Sequence, residues 1–268
     1  MNAEILGTPR RAEGDEIFPP LDLLDVLEVS AETLTEQHIF GFRHADTRAR
    51  PFKLLRSQVR KQCESRGIKV IGITSASPGV GKSFVAANLA AALSRLADLE
   101  VYLVDLDLHR PALAQRFGLT EGNGVLEYLS GDVADIRGIA RRVNDQRLAL
   151  IPAFRADLRT SELLASARGD RFFNGLHALP STAIALVDMP PIFADDDAVI
   201  IAAKLDAFLL VAEDGKTTRK QIRDTIRLLQ PTPLLGTVLN RYRNQFLSDD
   251  YGYGVGYGYG AYYSNAEA

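Results

Sequence analysis

Eight consecutive residues carry the first chemical signal. Ala76-Ser77-Pro78-Gly79-Val80-Gly81-Lys82-Ser83 follows the pattern G-x-x-x-x-G-K-[ST], except that Ala76 holds the first glycine position. Glycines let backbone N–H groups turn onto phosphate oxygens without a Cβ in the way, and a following helix N-terminus adds a favourable dipole. An apolar run before the loop and a helical pattern after it supply the required context. The ligand this predicts is a nucleotide with its magnesium ion. Pro78, Gly79, Val80, Gly81, Lys82, Ser83 and Phe84 would cradle the phosphates. Lys82 would reach the β- and γ-phosphates, and the Ser83 hydroxyl would bind Mg²⁺.

Two further runs end in acids. Val-Tyr-Leu-Val-Asp105-Leu-Asp107 places two carboxylates two residues apart, on one side of an extended backbone. Such a pair suits Mg²⁺ binding or proton abstraction. Ile184-Ala185-Leu186-Val187-Asp188-Met189-Pro190-Pro191 has the Walker B pattern, four apolar residues then an acid. Asp188 would hold Mg²⁺, directly or through water. The prolines stop the strand.

These acids must be positioned by strands. Lys69–Ser75, Glu100–Asp105, Leu148–Pro152, Ala183–Asp188, Ala207–Ala212 and Leu234–Asn240 read as strands. Most are near-continuous apolar runs, as expected for strands buried on both faces. Lys82–Ala97, Ser161–Ala167, Asp195–Lys204 and Thr217–Leu229 read as helices, with Thr217 as an N-cap. The alternation predicts an α/β fold: a three-layer P-loop NTPase sandwich with a mostly parallel central sheet and helices on both faces.

The chain divides into four parts. Residues 1–48 read as an irregular acidic segment, with low complexity over Met1–Glu16 and a short possible helix over Leu21–Val29. Residues 49–67 read as a basic amphipathic helix opened by Pro51 and closed by Gly67. Residues 68–241 form the nucleotide domain. Residues 242–268 are a Tyr/Gly-rich tail, read as flexible because glycine at every second position makes a packed strand costly.

Composition excludes several classes. Lys plus Arg is 31 against 34 for Asp plus Glu, which argues against nucleic acid as a partner. The single cysteine, Cys63, rules out an internal disulfide. His38, His44, His109 and His177 show no metal-ligand spacing. The most apolar stretch, Ala198–Ala212, is interrupted by Lys204 and Asp206, so no membrane span is expected. Met1–Glu16 lacks the apolar region of a signal peptide. A cytoplasmic location follows as an expectation.

The combination S-x-S-P-G-x-G-K-S, apolar-D-x-D, apolar-D-x-P-P and a tyrosine-cluster tail resembles the bacterial tyrosine kinases (BY-kinases) of capsule and exopolysaccharide synthesis. The resemblance covers about residues 50–263. It implies ATP-dependent phosphorylation of the tail tyrosines Tyr251, Tyr253, Tyr257, Tyr259, Tyr262 and Tyr263, in trans within a homo-oligomeric ring. It implies that one of Asp105 and Asp107, with Asp105 preferred, takes the proton from the incoming tyrosine, and that Asp107 and Asp188 help Ser83 to hold Mg²⁺. In related ATPases an asparagine at the position of Asn240 faces the adenine. The resemblance also implies an activator, the cytoplasmic segment of a polysaccharide co-polymerase membrane protein, which would recruit the chain to the inner face of the membrane. A cognate phosphotyrosine phosphatase completes the implied partners.

The sequence departs from the family pattern at His109, where an arginine is usual, and at Arg50, where the ring-forming helix usually carries glutamate. Two other functions share the nucleotide site. One is a positioning ATPase of the chromosome-partitioning and septum-placing group. That group carries a lysine where this chain has Ser77, and it lacks a tyrosine cluster. The other is a non-catalytic nucleotide-binding adaptor. Six of nine tyrosines lie in the last 18 residues, which favours the kinase.

Overall fold

The computed structural model describes residues 17–154 and 159–242. Eight strands form one sheet in the order β1-β4-β5-β3-β6-β2-β7-β8. They are β1 Val26–Leu27, β2 Val70–Ser75, β3 Glu100–Asp105, β4 Arg141–Val143, β5 Leu148–Ile151, β6 Ala183–Asp188, β7 Ala207–Glu213 and β8 Leu234–Asn240. All neighbours pair in parallel except β4 and β5. β2, β5, β6 and β7 are buried along their whole length, which is why their sequences are unbroken apolar runs. The six strands read from the sequence are all present, most within a residue or so of the expected ends.

Nine α-helices cover the sheet among the described residues: α1 Ala31–Glu36, α2 Arg50–Arg66, α3 Lys82–Leu93, α4 Leu113–Arg116, α5 Val125–Ser130, α6 Thr160–Leu164, α7 Ala167–Ala178, α8 Asp197–Ala202 and α9 Arg219–Leu228. Two apolar cores result. One holds Leu126, Leu129, Phe172, Leu176 and Ile201; the other, on the opposite face of the sheet, holds Val59, Cys63, Val85, Leu89 and Leu113. This is the expected three-layer arrangement. Among the described residues no helix is long and apolar enough to cross a membrane.

The segment read as irregular, 1–48, is built into the domain over its described residues. The helix expected over Leu21–Val29 is instead a 3₁₀ turn, Leu21–Leu23, followed by β1. Pro19 and Pro20 fix the approach to the turn, and the chain then finds sheet partners that a helix would forgo. Arg142 N donates to Asp25 O at 2.9 Å, and Asn144 N donates to Leu27 O at 2.9 Å. Phe18 packs edge-on against Tyr102 and Phe172. The reading of Met1–Glu16 as low complexity falls outside the described residues.

Other local differences have plain causes. Ser166 accepts a hydrogen bond from Gly169 N and so restarts a helix, α7, where the sequence suggested an end. The N-cap of α9 is Thr218, not Thr217: its hydroxyl accepts from Gln221 N at 3.2 Å, while Thr217 Oγ1 accepts from Glu213 N at 2.9 Å. α2 is the expected helix, closed by Gly67 at φ +68°. It lies on α3 through Phe52, whose ring meets Phe84 edge-on at 5.6 Å.

α3 is buried on almost every side, with Asn88 fully enclosed. Asn88 Oδ1 accepts from Phe40 N (2.7 Å) and Gly41 N (3.1 Å), and its Nδ2 donates to His38 O (2.9 Å) and Phe84 O (3.0 Å). All four hydrogen-bonding positions commonly open to an amide are thereby engaged. The acidic N-terminal segment is thus tied to the helix that follows the phosphate loop.

Candidate nucleotide site

The loop between β2 and α3 is held from three directions. Ser75 Oγ donates to Ser77 O at 2.7 Å, from the end of β2. Gln221 Nε2 on α9 donates to Ser77 Oγ at 3.2 Å. Asn240 Nδ2, at the end of β8, donates to Val80 O at 2.7 Å. Asn240, expected to face adenine, here buttresses the loop itself. Phe84 turns its ring to Phe52, so its contribution to a phosphate cradle is confined to its backbone.

Gly79 and Gly81 take φ values of +76° and +97°, where a side chain is strained. At Gly81 space is also closed, since a Cβ would stand 2.3 Å from Asn240 Nδ2. Gly81→Ala is therefore expected to push the Asn240 amide off Val80. The two effects should cost about 1–3 kcal/mol. Thermal unfolding should show a lowered Tm, and nucleotide titration a weakened affinity.

Three carboxylates converge on the loop. Asp105 and Asp188 end adjacent parallel strands and are register partners. The carboxyl ends of parallel strands are where open α/β sheets place their ligands. Asp105 and Asp188 are 0% exposed and Asp107 is 5% exposed. Lys82, itself 7% exposed, sets its Nζ 3.5 Å from Asp107 Oδ2.

Each acid has a different occupation. Asp105 Oδ2 accepts from Ala112 N (3.0 Å) and Leu113 N (2.9 Å), and Oδ1 accepts from Asp107 N (3.2 Å). Burial and then Asp188 push its carboxyl well above the usual range, against the pull of those backbone bonds. Asp107 Oδ1 takes one backbone N–H, from Arg110 at 3.2 Å, and Oδ2 faces the lysine. Neither oxygen of Asp188 has a hydrogen bond of good geometry. Burial pushes the Asp188 carboxyl up to about 7, opposed by the Lys82 charge and by the nearby Ser83 hydroxyl.

A buried carboxylate with idle oxygens, beside a lysine and a serine, is chemically suited to a divalent cation that phosphates also ligate. Among the described residues no three His, Cys, Asp or Glu side chains converge on one point as a self-sufficient metal cage. That fits Mg²⁺ held by one or two protein groups together with substrate phosphates.

Two residues near the acids carry more than the sequence suggested. Arg116 on α4 is a second cation acting on Asp188, and burial lowers its own pKa. Nothing in its spacing singles it out; the fold back of α4 brings it there. His109 is wedged against the stretch after Asp188. Its Nε2 lies 3.0 Å from Thr160 Oγ1, 3.2 Å from the buried Asp197 Oδ2 and 3.4 Å from Asp195 Oδ2. It therefore clips the exit of β3 to the start of α8. His109→Ala would strip the buried Thr160 hydroxyl of its ring hydrogen bond and remove the imidazole from beside Asp197 Oδ2, which has no hydrogen-bond partner. A loss of about 1–3 kcal/mol is expected, read as a lower urea midpoint, with His109→Gln recovering part of it.

The six tail tyrosines, and the acidic pair Asp249-Asp250, lie outside the described residues.

The chain as a whole is similar to several known proteins. Residues 71–251 match the family model described as CobQ/CobB/MinD/ParA nucleotide binding domain. The chain is 29% identical over 205 residues to the tyrosine-protein kinase CpsD of Streptococcus agalactiae, covering 75% of this chain and 87% of that one. It is 35% identical over 200 residues to the succinoglycan biosynthesis transport protein ExoP of Rhizobium meliloti, covering 70% of this chain and 24% of that one. The solved BceF tyrosine kinase domain superposes with a TM-score of 0.66 at 28% identity, over 81% of this chain and 91% of that domain. Other curated relatives are much longer, and the chain spans between 26% and 33% of their length. The chain belongs to the CobQ/CobB/MinD/ParA nucleotide-binding family, and within it is similar to bacterial tyrosine kinases.

Proposed function

We propose that this chain is an ATP-dependent protein-tyrosine autokinase that phosphorylates its own C-terminal tyrosine cluster and thereby regulates exopolysaccharide or capsule polymerisation and export. The observation that carries the reading is the convergence of Lys82, Ser83, Asp107 and Asp188 at the ends of β2, β3 and β6. The tail of Tyr-Gly repeats supplies the acceptor. Similarity to the tyrosine kinase CpsD, the succinoglycan biosynthesis transport protein ExoP and the BceF tyrosine kinase domain supports kinase chemistry and a polysaccharide setting.

Phosphoryl transfer asks the protein for positioning and charge neutralisation more than for covalent chemistry. The loop backbone from Pro78 to Phe84 binds and orients the triphosphate. Lys82 neutralises charge on the phosphates as the bond to the leaving oxygen breaks. Ser83, Asp107 and Asp188 would hold Mg²⁺, which supplies further charge neutralisation when bound. Asn240 keeps the loop in its binding conformation.

The proton of the incoming tyrosine hydroxyl needs an acceptor with a free oxygen. Asp105, the residue the family resemblance implied, gives its two oxygens to three backbone N–H groups. Its role here is to hold the β3 exit in shape. Asp107 takes a single backbone N–H, on Oδ1, and its Oδ2 stands 3.5 Å from Lys82, so it is the less engaged of the two paired aspartates; acting as the proton acceptor it would leave Mg²⁺ to Ser83 and Asp188.

The same reading includes transfer in trans within a homo-oligomeric ring. It also includes a co-polymerase cytoplasmic segment as activator, recruitment from the cytoplasm to the membrane through that partner, and a phosphatase that resets the tail. The test is to incubate the full chain with Mg–ATP, alone and with the cytoplasmic segment of a candidate co-polymerase, and to map phosphate by mass spectrometry. Phosphotyrosine at 251–263 is expected. ATP hydrolysis without tyrosine label would identify a switch ATPase instead, and nucleotide binding without turnover an adaptor.

A further inference from the structure

The β8 edge of the sheet carries a feature the nucleotide site does not use. α9 buries Thr225 and packs Ile222 and Ile226 on the core. Its outer face presents Arg219, Lys220, Arg223 and Arg227, all exposed. Lys220 pairs with Asp224 at 2.8 Å, and Asp224 is the single acid on the helix. Arg219, Arg223 and Arg227 have no ion pair among the described residues. In a chain with more acids than bases, an acid-poor stripe of three arginines is a site that favours anions.

The stripe begins a few residues after a stretch of chain that lies beside the end of β8. Asp214 N donates to Asn240 O at 3.1 Å, so the strand end before α9 and the end of β8 run side by side. Arg241 pairs with Glu213 at 3.2 Å. Tyr251 follows Tyr242 by nine residues, a reach of up to about 30 Å. α9, at 10 residues, is about 15 Å long. Arginines four residues apart on a helix rise about 6 Å per step. Tyr251 and Tyr253, like Tyr257 and Tyr259, are two residues apart, about 6.6 Å on an extended chain with both rings on one side.

We propose that Arg219, Arg223 and Arg227 form a docking stripe for the phosphorylated tail of the same chain. This rests on the reading of the tail tyrosines as phosphoacceptors. Each phosphotyrosine brings about −1.5 to −2 charges and three acceptor oxygens, which guanidinium groups bind in bidentate fashion. Tethering makes the encounter intramolecular, at an effective concentration in the millimolar range. A tail so held is withdrawn from active sites, so the stripe acts as a product latch.

The test uses a synthetic peptide of residues 249–261, bis-phosphorylated at Tyr251 and Tyr253, titrated against the full, phosphatase-treated chain by fluorescence anisotropy. The phosphopeptide is expected to bind at least tenfold tighter than its unphosphorylated form. The double variant Arg223→Gln, Arg227→Gln, altered only at exposed positions, should lose that preference. Equal binding of the two peptides, or an undiminished preference in the variant, overturns the proposal. Sedimentation with phosphatidylglycerol vesicles through these arginines, without a phosphopeptide preference, assigns the stripe to a membrane surface and overturns it equally. The phosphate is installed by synthesis, so the outcome is independent of whether the chain is itself a kinase. Failure of the kinase reading shows separately, as absent tail label with Mg–ATP.

Discussion

Replacing Lys82 with methionine is expected to lower phosphotransfer to the tail by about 10²–10³-fold, the usual cost of removing one preorganised charge-stabilising donor. Lys82 is enclosed with three carboxylates and is the cation nearest to Asp107. Without it Asp105, Asp107 and Asp188 face one another, with Arg116 still offsetting Asp188. Binding of a further polyanion, the nucleotide, then becomes unfavourable. Methionine fills a similar buried volume without a charge, so the fold should persist. The measurement is tail phosphorylation by mass spectrometry, with far-UV circular dichroism as a check. Retention of more than about a tenth of the activity would remove Lys82 from the catalytic assignment.

Asp188→Asn should separate stability from function. In the folded chain burial raises the Asp188 carboxyl from 3.8 to about 7. Between pH 4 and 7 the folded state therefore holds a proton that the unfolded state has released. Stability falls as pH rises through that window and levels off above it, by about 4 kcal/mol at most. The asparagine variant loses the Asp188 share of this slope and keeps the part that burial of Asp105 contributes. With chelator present it should melt several degrees above the wild type at pH 8, and close to it near pH 4. It should lose both phosphotransfer and the thermal protection that Mg–ATP gives the wild type. A variant that melts lower at pH 8 would show that the carboxylate is already compensated in the nucleotide-free chain.

The parts legible in the sequence were those governed by neighbours along the chain. Gly79, Gly81, Lys82 and Ser83 follow one another on a single turn, and their spacing is their chemistry. The strand runs ending in Asp105 and Asp188 show themselves because a strand buried on both faces must be apolar throughout, so an acid at its end stands out. Helix ends were less legible. Ser161–Ala167 was read as one helix, because the restart at Ser166 depends on a cap and on packing of Phe172 and Phe173 in the core.

Other residues acquire their role from distant partners. Asn88 looks like an ordinary polar residue within an alanine-rich helix, yet it anchors a segment 47 and 48 residues earlier in the chain. β1 is only two residues long, too short for any pattern. Arg116 and His109 meet Asp188 and Asp197 only once α4 and α8 are folded over the strand ends.

The sequence by itself determined that a glycine-rich loop joins a strand to a helix, that acids close neighbouring strands, and that a tyrosine-rich tail follows. These are local patterns, fixed by backbone geometry over a few residues. The tertiary structure alone decided which of the paired aspartates is tied to the backbone and which faces the lysine. Asp105 and Asp107 differ by one intervening residue, but only the fold places two backbone N–H groups of 112 and 113 on Asp105 and leaves Lys82 facing Asp107. Hydrogen-bond satisfaction, not residue type or burial, distinguishes the two.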